Sequence, residues 1–407
     1  MRRIAISELA SFYRCELLDN MVPFWLRHSL DRHSGGYHTC LDRDGSVYDF
    51  GKLCMWGQGR LAWMLAHLYN ELDRRPEWLA ASRLGIEFIA RHGFDPELRM
   101  YYALTREGRP MEDHRCIFTE LSTVLAFTEH ARAAGDAALH LRARKLFDFC
   151  WDYAHEAGNR ERNLGLDPRT VKIRRHAHPM IMLNVLQQLR LYRKESQDRR
   201  RVDDCLDLML RIHQKSRRRL VLENVLWKDG SPAPGWMGRM VNPGHMIEGG
   251  IFLIHEGRYR RDAGLKKAGL NWIRWGFELG WDKVYGGIFN DVDAEGLPLP
   301  GAPALLADTK LWWQHAEALY GLLLAFVESA DLWFWKAYCK THAYSFSHFA
   351  DRKYGEWYAL LDRAGRPINR AKGTDRKNLF HIGRNFLWII QLLEKSPAGS
   401  LSEMTGA

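Results

Sequence analysis

The sequence predicts an all-α fold, an (α/α)6 barrel of six helix-pair repeats with short β-hairpins at one mouth. Three observations predict it. A strand–turn–strand signature recurs with turns near residues 45, 108, 168, 230, 296 and 365, so successive gaps are roughly 60 to 69 residues and six of them account for the 407-residue chain. Between the turns lie two stretches of helical periodicity, one amphipathic and one apolar all round. The polar residues of the apolar stretches gather at their N-terminal ends, just after each hairpin.

Taken in order, the first hairpin runs from Gly35 to Tyr48 around an Asp44-Gly45 turn. Met100 to Pro110, Val225 to Pro232, Gly287 to Gly296 and Gly355 to Pro367 repeat the pattern, and Leu164 to Arg169 is a weaker member. The amphipathic set comprises Ile6 to Arg27, Glu77 to Arg91, Ala137 to His155, Arg201 to Lys215, Arg261 to Leu279 and Leu332 to Phe349. Each alternates charged and apolar faces at i, i+3, i+4 spacing, as an outer helix with one face in water does. The apolar set comprises Trp56 to Tyr69, Phe118 to His130, Pro179 to Leu191, His245 to His255, Trp312 to Glu328 and Phe380 to Leu393. Helices of that composition are buried, so these form the inner ring. One catalytic domain over residues 1–395 and a disordered tail over 396–407 complete the expected organisation.

Composition narrows the function classes. At 46% hydrophobic and 27% charged residues the chain is ordinary globular protein. No apolar run approaches the roughly 18 residues of a membrane span, and the basic N-terminus lacks the apolar core of a secretory signal. The seven cysteines are scattered without a C-x-x-C pair, which indicates neither a disulfide framework nor a zinc site. A cytoplasmic protein is expected. The net charge of +10 comes with clusters such as Arg199-Arg200-Arg201 and Arg217-Arg218-Arg219 on polar helix ends and connections. No nucleic-acid module accompanies them, so the expectation is a solvated basic surface, with neither nucleic acid nor membrane as partner.

The inner helix starts carry Gln58 and Arg60, Glu120, His176 and His178, His245 and Glu248, His315 and Glu317, then His381 and Arg384. Equivalent points on six inward-facing helices converge on the barrel axis and make one concave polar pocket. Glu120 and His315 equally suit capping or bonding the hairpins, His176 and His178 are ambiguous, and Arg384 suits a phosphate or a carboxylate. The most telling stretch is Asn242-Pro243-Gly244-His245-Met246-Ile247-Glu248. Asn is a good N-cap and Pro is favoured at the first helical position, which puts His245 in the first turn with Glu248 on the same face. The positive end of the helix disfavours imidazolium, so His245 is expected neutral, as a general base must be.

These residues resemble the N-acylglucosamine 2-epimerase family, over about residues 35 to 390. The resemblance is carried by Gly35-Gly36-Tyr37 with Met55-Trp56-Gly57-Gln58-Gly59-Arg60, by Asn242 to Glu248, and by Lys310-Leu311-Trp312-Trp313-Gln314-His315-Ala316-Glu317. His348 to Tyr358 and Phe380-His381 add to it. It implies an (α/α)6 barrel that epimerises or isomerises reducing sugars, with His245 and His381 catalytic. It also implies that Arg60 contacts sugar oxygens, that Glu248 supports His245, and that Trp313 and Glu317 line the pocket. Two departures stand out. The loop from Lys372 to His381 is longer or differently placed than in relatives. Ile181 and Asn184 stand where aldose–ketose isomerase and disaccharide-epimerase branches typically carry a His-x-x-Glu pair, which favours the N-acylglucosamine branch.

Inverting C2 of an aldose requires the open-chain aldehyde, removal of the proton alpha to it, and return of a proton to the opposite face. Two bases flanking the sugar achieve this, and two imidazoles titrating near neutrality suit the task. Arg60 is the candidate for stabilising the developing oxyanion. The expected function is therefore a sugar 2-epimerase interconverting N-acetylglucosamine and N-acetylmannosamine. An aldose–ketose isomerase is the alternative, and a glycoside hydrolase-like (α/α)6 enzyme is disfavoured by the scarcity of inward Asp. No metal or cofactor is required by this chemistry. Resemblance to some members leaves room for ATP as a non-consumed effector and for a homodimer.

Overall fold

The computed structural model describes residues 6–114, 116–155, 172–300 and 306–395. The weak hairpin expected at Leu164 to Arg169 and the expected tail at 396–407 lie outside them. The inner helices are Met55–Glu71, Phe118–Ala134, Ala177–Tyr192, Pro243–Arg260, Trp312–Ser329 and Leu379–Lys395. Each packs on the next, and the sixth packs back on the first, closing a ring. The outer helices are Pro76–His92, Ala137–His155, Ser196–Asp207 continued by a π-helical Leu208–His213, Ala263–Gly280 and Leu332–His348. The first outer helix is composite, Ile6–Cys15 and Val22–His28 joined by the π-helical turn Glu16–Met21. No helix among the described residues is long and apolar enough to cross a membrane. The chain is thus an (α/α)6 barrel, with one apolar core running between the two rings of helices.

The turn glycines Gly45, Gly108, Gly230, Gly296 and Gly365 all hold positive φ, between 70° and 89°. A side chain there would strain the turn, which is why the Asp-Gly and related pairs recur. Three hairpins pair as expected: Cys40–Leu41 with Val47–Asp49, Ala103–Leu104 with Pro110–Glu112, and Leu360–Leu361 with Pro367–Asn369. Two differ. Val225 bridges Pro232 across its own turn, but the longer pairing of Asn224–Leu226 is with Ile173–Arg175 of the preceding repeat. Val292–Asp293 pairs with Met240–Val241 instead of with its own returning segment. Pro298 and Pro300 after that turn lack the N–H that a returning ladder needs.

A recurring ionic brace ties neighbouring repeats together at this mouth. Asp31 pairs with Lys52 at 3.0 Å and Arg106 at 2.9 Å. Asp282 pairs with Lys310 at 3.0 Å and Arg363 at 3.1 Å. Asp351 pairs with Lys372 at 3.0 Å and with Arg43 at 2.7 Å, so the third brace joins the last repeat to the first hairpin. All three lysines are fully buried. Each arginine sits in a hairpin turn, and each aspartate follows an outer helix, so the braces join the hairpins with turns at residues 296, 365, 45 and 108 into an arc of the rim.

Candidate active site

The rim encloses a cavity of about 390 Å³, walled by Trp56, Arg60, Glu223, His245, Trp313 and His381 among others. That is a monosaccharide-scale pocket, near the lower end of the ~300–1,000 Å³ usual for small ligands.

His245 is placed by its helix start. Asn242 accepts a hydrogen bond from the His245 N–H at 2.8 Å, as an N-cap does, and its own amide donates to Asn290 O and to Asp291 Oδ1, each at 3.0 Å. Pro243 takes the first helical position. The imidazole Nδ1 meets Glu223 Oε1 at 3.0 Å. This corrects two expectations. The carboxylate bonded to His245 is Glu223, from the bend between the short strands Leu220–Val221 and Asn224–Leu226, whereas Glu248 accepts from Arg384 at 2.7 Å. The His245 pKa is raised, not held down: burial and the helix terminus oppose the charge, but Glu223, with help from Glu248 and Asp291, overcomes them. Asp291 itself is pushed up to about 6 by burial, against the bond from Asn242.

His381 has the opposite environment. Arg60 Nη1 lies 3.1 Å from its Nε2, and Glu317 Oε1 lies 2.6 Å from its Nδ1. A guanidinium can only donate and a carboxylate accepts, so the assignment that satisfies both contacts is a neutral ring with its proton on Nδ1. Burial drives the His381 pKa well below the usual histidine value, and Arg60 and Arg384 push the same way. Glu317 Oε1 is held in turn by Arg384 at 2.6 Å and Asn385 at 2.8 Å. Asn378 caps this helix through the Phe380 N–H at 2.9 Å, and its amide reaches Gly57 O at 3.1 Å. The loop before His381 is fixed by Lys377, fully buried against Glu356 and donating to Lys372 O at 2.7 Å.

Trp313 stands between the two histidines, its ring centroid 5.3 Å from that of His245 and 5.4 Å from that of His381. The Arg60 guanidinium is sandwiched between Trp56, at 4.4 Å, and Phe380, at 4.6 Å. Burial lowers its pKa to about 10, still leaving it charged at neutral pH.

Of the residues singled out from sequence, Arg60, Glu248, His245, Trp313 and His381 line the cavity. Glu317 and Arg384 lie fully buried behind His381. The others are elsewhere. Gln58 is fully buried and spends both ends of its amide on Tyr37, at 2.8 Å each, holding the first hairpin. Glu120 accepts from Arg99 at 3.1 Å and from the Met100 N–H at 3.3 Å. His178 lines a small neighbouring cavity with His213 and Trp227. His315 accepts from the Ile288 N–H at 3.0 Å, bracing a hairpin. Sequence reading missed Glu223, Asp291, Arg175 and Arg376, which also face the cavity. Glu223 did leave a signal, a lone acidic residue inside the apolar run Leu220 to Leu226.

Residues 35–384 match the family model for N-acylglucosamine 2-epimerase. A curated N-acylglucosamine 2-epimerase from Bos taurus is 35% identical over 400 residues, covering 95% of this chain and 92% of that protein. Among solved structures, the cellobiose 2-epimerase from Bacillus thermoamylovorans B4167 superposes with a TM-score of 0.80 at 19% identity, over 95% of this chain and 100% of that one. A D-mannose isomerase structure superposes with a TM-score of 0.78 at 16% identity, over 94% and 98%.

Proposed function

The chain belongs to the N-acylglucosamine 2-epimerase family and is an isomerase acting on sugars, and from that premise we propose that it interconverts N-acetylglucosamine and N-acetylmannosamine by two-base proton transfer at C2. The observation that carries the mechanism is the opposite tuning of two imidazoles on one cavity: Glu223 raises the pKa of His245, whereas His381 lies between Glu317 and Arg60 with its pKa lowered.

In the open-chain sugar, C2–H is acidified by the C1 aldehyde. The neutral His381 Nε2 takes this proton, and the developing enediolate oxygen draws Arg60, whose guanidinium already sits beside that nitrogen. His245, protonated and held through Nδ1 by Glu223, gives a proton to the opposite face of C2. Each positioned acid or base contributes about 10²–10⁴-fold. After one turnover the pair has exchanged protonation states, and the reverse reaction begins from there. Trp313 offers an apolar face between the two histidines on which the planar intermediate can rest. The reaction consists of proton transfers alone, so the proposal includes no cofactor, and a nucleotide would act only as an effector. A cytoplasmic location accords with free cysteines at all seven positions.

Proton NMR in D2O with N-acetylglucosamine, N-acetylmannosamine, glucose, mannose and fructose tests the substrate. The proposal expects deuterium at C2 with gluco–manno interconversion of the N-acetylated pair. Ketose formation from mannose or glucose would instead place the chain among aldose–ketose isomerases, and no turnover of any sugar would refute the activity.

A further inference from the structure

Three groups of histidines and carboxylates among the described residues hold ligand atoms within 4.8 Å of one another. Two are already neutralised by arginine. Arg384 bridges Glu248 and Glu317 beside His381, and Arg132 binds Glu71 and Glu129, both at 2.6 Å, beside His67. The third group is His176, Glu223 and His245, and among the described residues no guanidinium bonds Glu223.

The geometry of this group suits a small cation. Glu223 Oε1 is 3.0 Å from His245 Nδ1 and 3.7 Å from His176 Nδ1. A tetrahedral ion with bonds of ~2.0–2.1 Å needs its ligand atoms about 3.3 Å apart, midway between those values. His176 is fully buried and neither ring nitrogen has a hydrogen-bond partner. Its ring is wedged between His213, at 5.5 Å, and Trp272, at 5.3 Å, with the imidazole of His245 at 6.5 Å. An orphaned imidazole at that depth is costly unless something else uses its lone pair. Glu223 and His245 form part of the cavity wall, which gives an ion from solvent its entry path.

We infer that His176, Glu223 and His245 form a binding site for a divalent transition-metal ion of the zinc class, which inhibits the enzyme reversibly. Two imidazoles and one carboxylate select zinc-like ions over magnesium or calcium, which prefer all-oxygen sets. On binding, the ion replaces the proton on His245 Nδ1, which leaves to solvent, and no redox change is involved. The coordinated ring is then a neutral imidazole that keeps its remaining proton on Nε2, a far weaker acid than imidazolium and without a free lone pair, so His245 can neither give nor take the C2 proton. The inference concerns binding by the resting protein and stands whichever sugar is the substrate.

Cobalt(II) is the probe, because its visible absorption reports both geometry and ligand type. Titrating the metal-free full-length protein should give one equivalent with intense tetrahedral d–d bands, no thiolate-to-metal charge transfer, and displacement by Zn²⁺. Proton release should accompany binding in calorimetry. His176→Asn should weaken Zn²⁺ at least as much as the ~10–100-fold typical of losing an outer ligand partner. It should also make sugar turnover correspondingly less sensitive to Zn²⁺. Should His176→Asn not fold, Glu223→Gln reads the same loss of cobalt absorption. Thiolate charge-transfer bands, octahedral-type weak bands, no stoichiometric binding, or unchanged affinity in either folded variant would each overturn the inference.

Discussion

Glu223 Oε1 lies 3.0 Å from His245 Nδ1, and this contact favours the proton on His245 over His381. Glu223 is itself held far below the usual carboxylate range: burial opposes its charge, but His245 and His176 outweigh burial. Glu223 therefore raises the His245 pKa, while burial and Arg60 lower that of His381.

Replacing Glu223 with Gln removes the charge that raises His245. The productive enzyme has one proton shared by the two histidines, so kcat/KM should plateau between the low pKa of His381 and the raised pKa of His245. Activity falls on the alkaline side as His245 loses its proton. In Glu223→Gln that limb should move to lower pH, and kcat at neutral pH should fall about 10²-fold. The acid limb, set by His381, should stay in place. A pH–rate profile for both proteins checks this, and an unmoved alkaline limb would contradict it.

Arg60→Lys keeps the charge but loses the planar stack between Trp56 and Phe380 and the fork beside His381. Loss of one oxyanion donor typically costs about 10²–10³ in kcat. Steady-state kinetics should show a fall in kcat of that size with a smaller change in KM. A change confined to KM would make Arg60 a binding residue only.

Asp351→Asn should destabilise the barrel strongly, because Lys372 is fully buried and Asp351 is its carboxylate. Breaking such a pair costs about 3–5 kcal/mol, which lowers the urea midpoint at unchanged slope. The same pair makes stability pH-dependent. Burial disfavours the Asp351 charge, but Arg43 and Lys372 hold its pKa well below the unfolded value. Its contribution is therefore present above the unfolded carboxylate pKa of about 3.9 and is lost as pH falls through and below it. The Asn variant should show a flatter decline between neutral pH and acid than the parent.

Glu356 sits at φ +56° where the equivalent Gly36 and Gly287 have +66° and +76°, and its carboxylate pairs with buried Lys377. Relaxing the backbone with Glu356→Gly gains about 1–3 kcal/mol at most. Leaving Lys377 buried and unpaired costs about 3–5 kcal/mol, so the single variant should be less stable. Adding Lys377→Met should restore much of the loss. Denaturant melts of both variants check the order, and a single variant more stable than the parent would show that strain outweighs the ion pair.

The repeat, the two rings of helices and both catalytic candidates were legible because periodicity and helix-start chemistry are local. Asn242 caps, Pro243 opens and His245 follows in the first turn, as the order of residues alone implies. What stayed hidden was non-local. Glu223 reaches His245 from 22 residues away across a strand, so the carboxylate partner was misassigned to Glu248 on the same helix. The direction of the His245 shift is the reverse of that expected from the helix end for the same reason: a helix end supplies only a partial charge, while Glu223 supplies a whole one at 3.0 Å. Gln58 and Glu120 share the inner-helix register of the site, but hairpin backbone groups claim them first.

The central claim is that two bases work on opposite faces of C2, and solvent-exchange measurements on His245→Asn and His381→Asn in D2O test it most directly. With one base removed, the remaining histidine can still abstract the proton it faces, and solvent can return a deuteron to the same side. The account predicts that both variants lose epimerisation, while each still exchanges the C2 proton of one epimer, a different one in each variant. If either variant still epimerises, or if one variant exchanges both epimers while the other exchanges neither, a single base does the work and the two-histidine account is wrong.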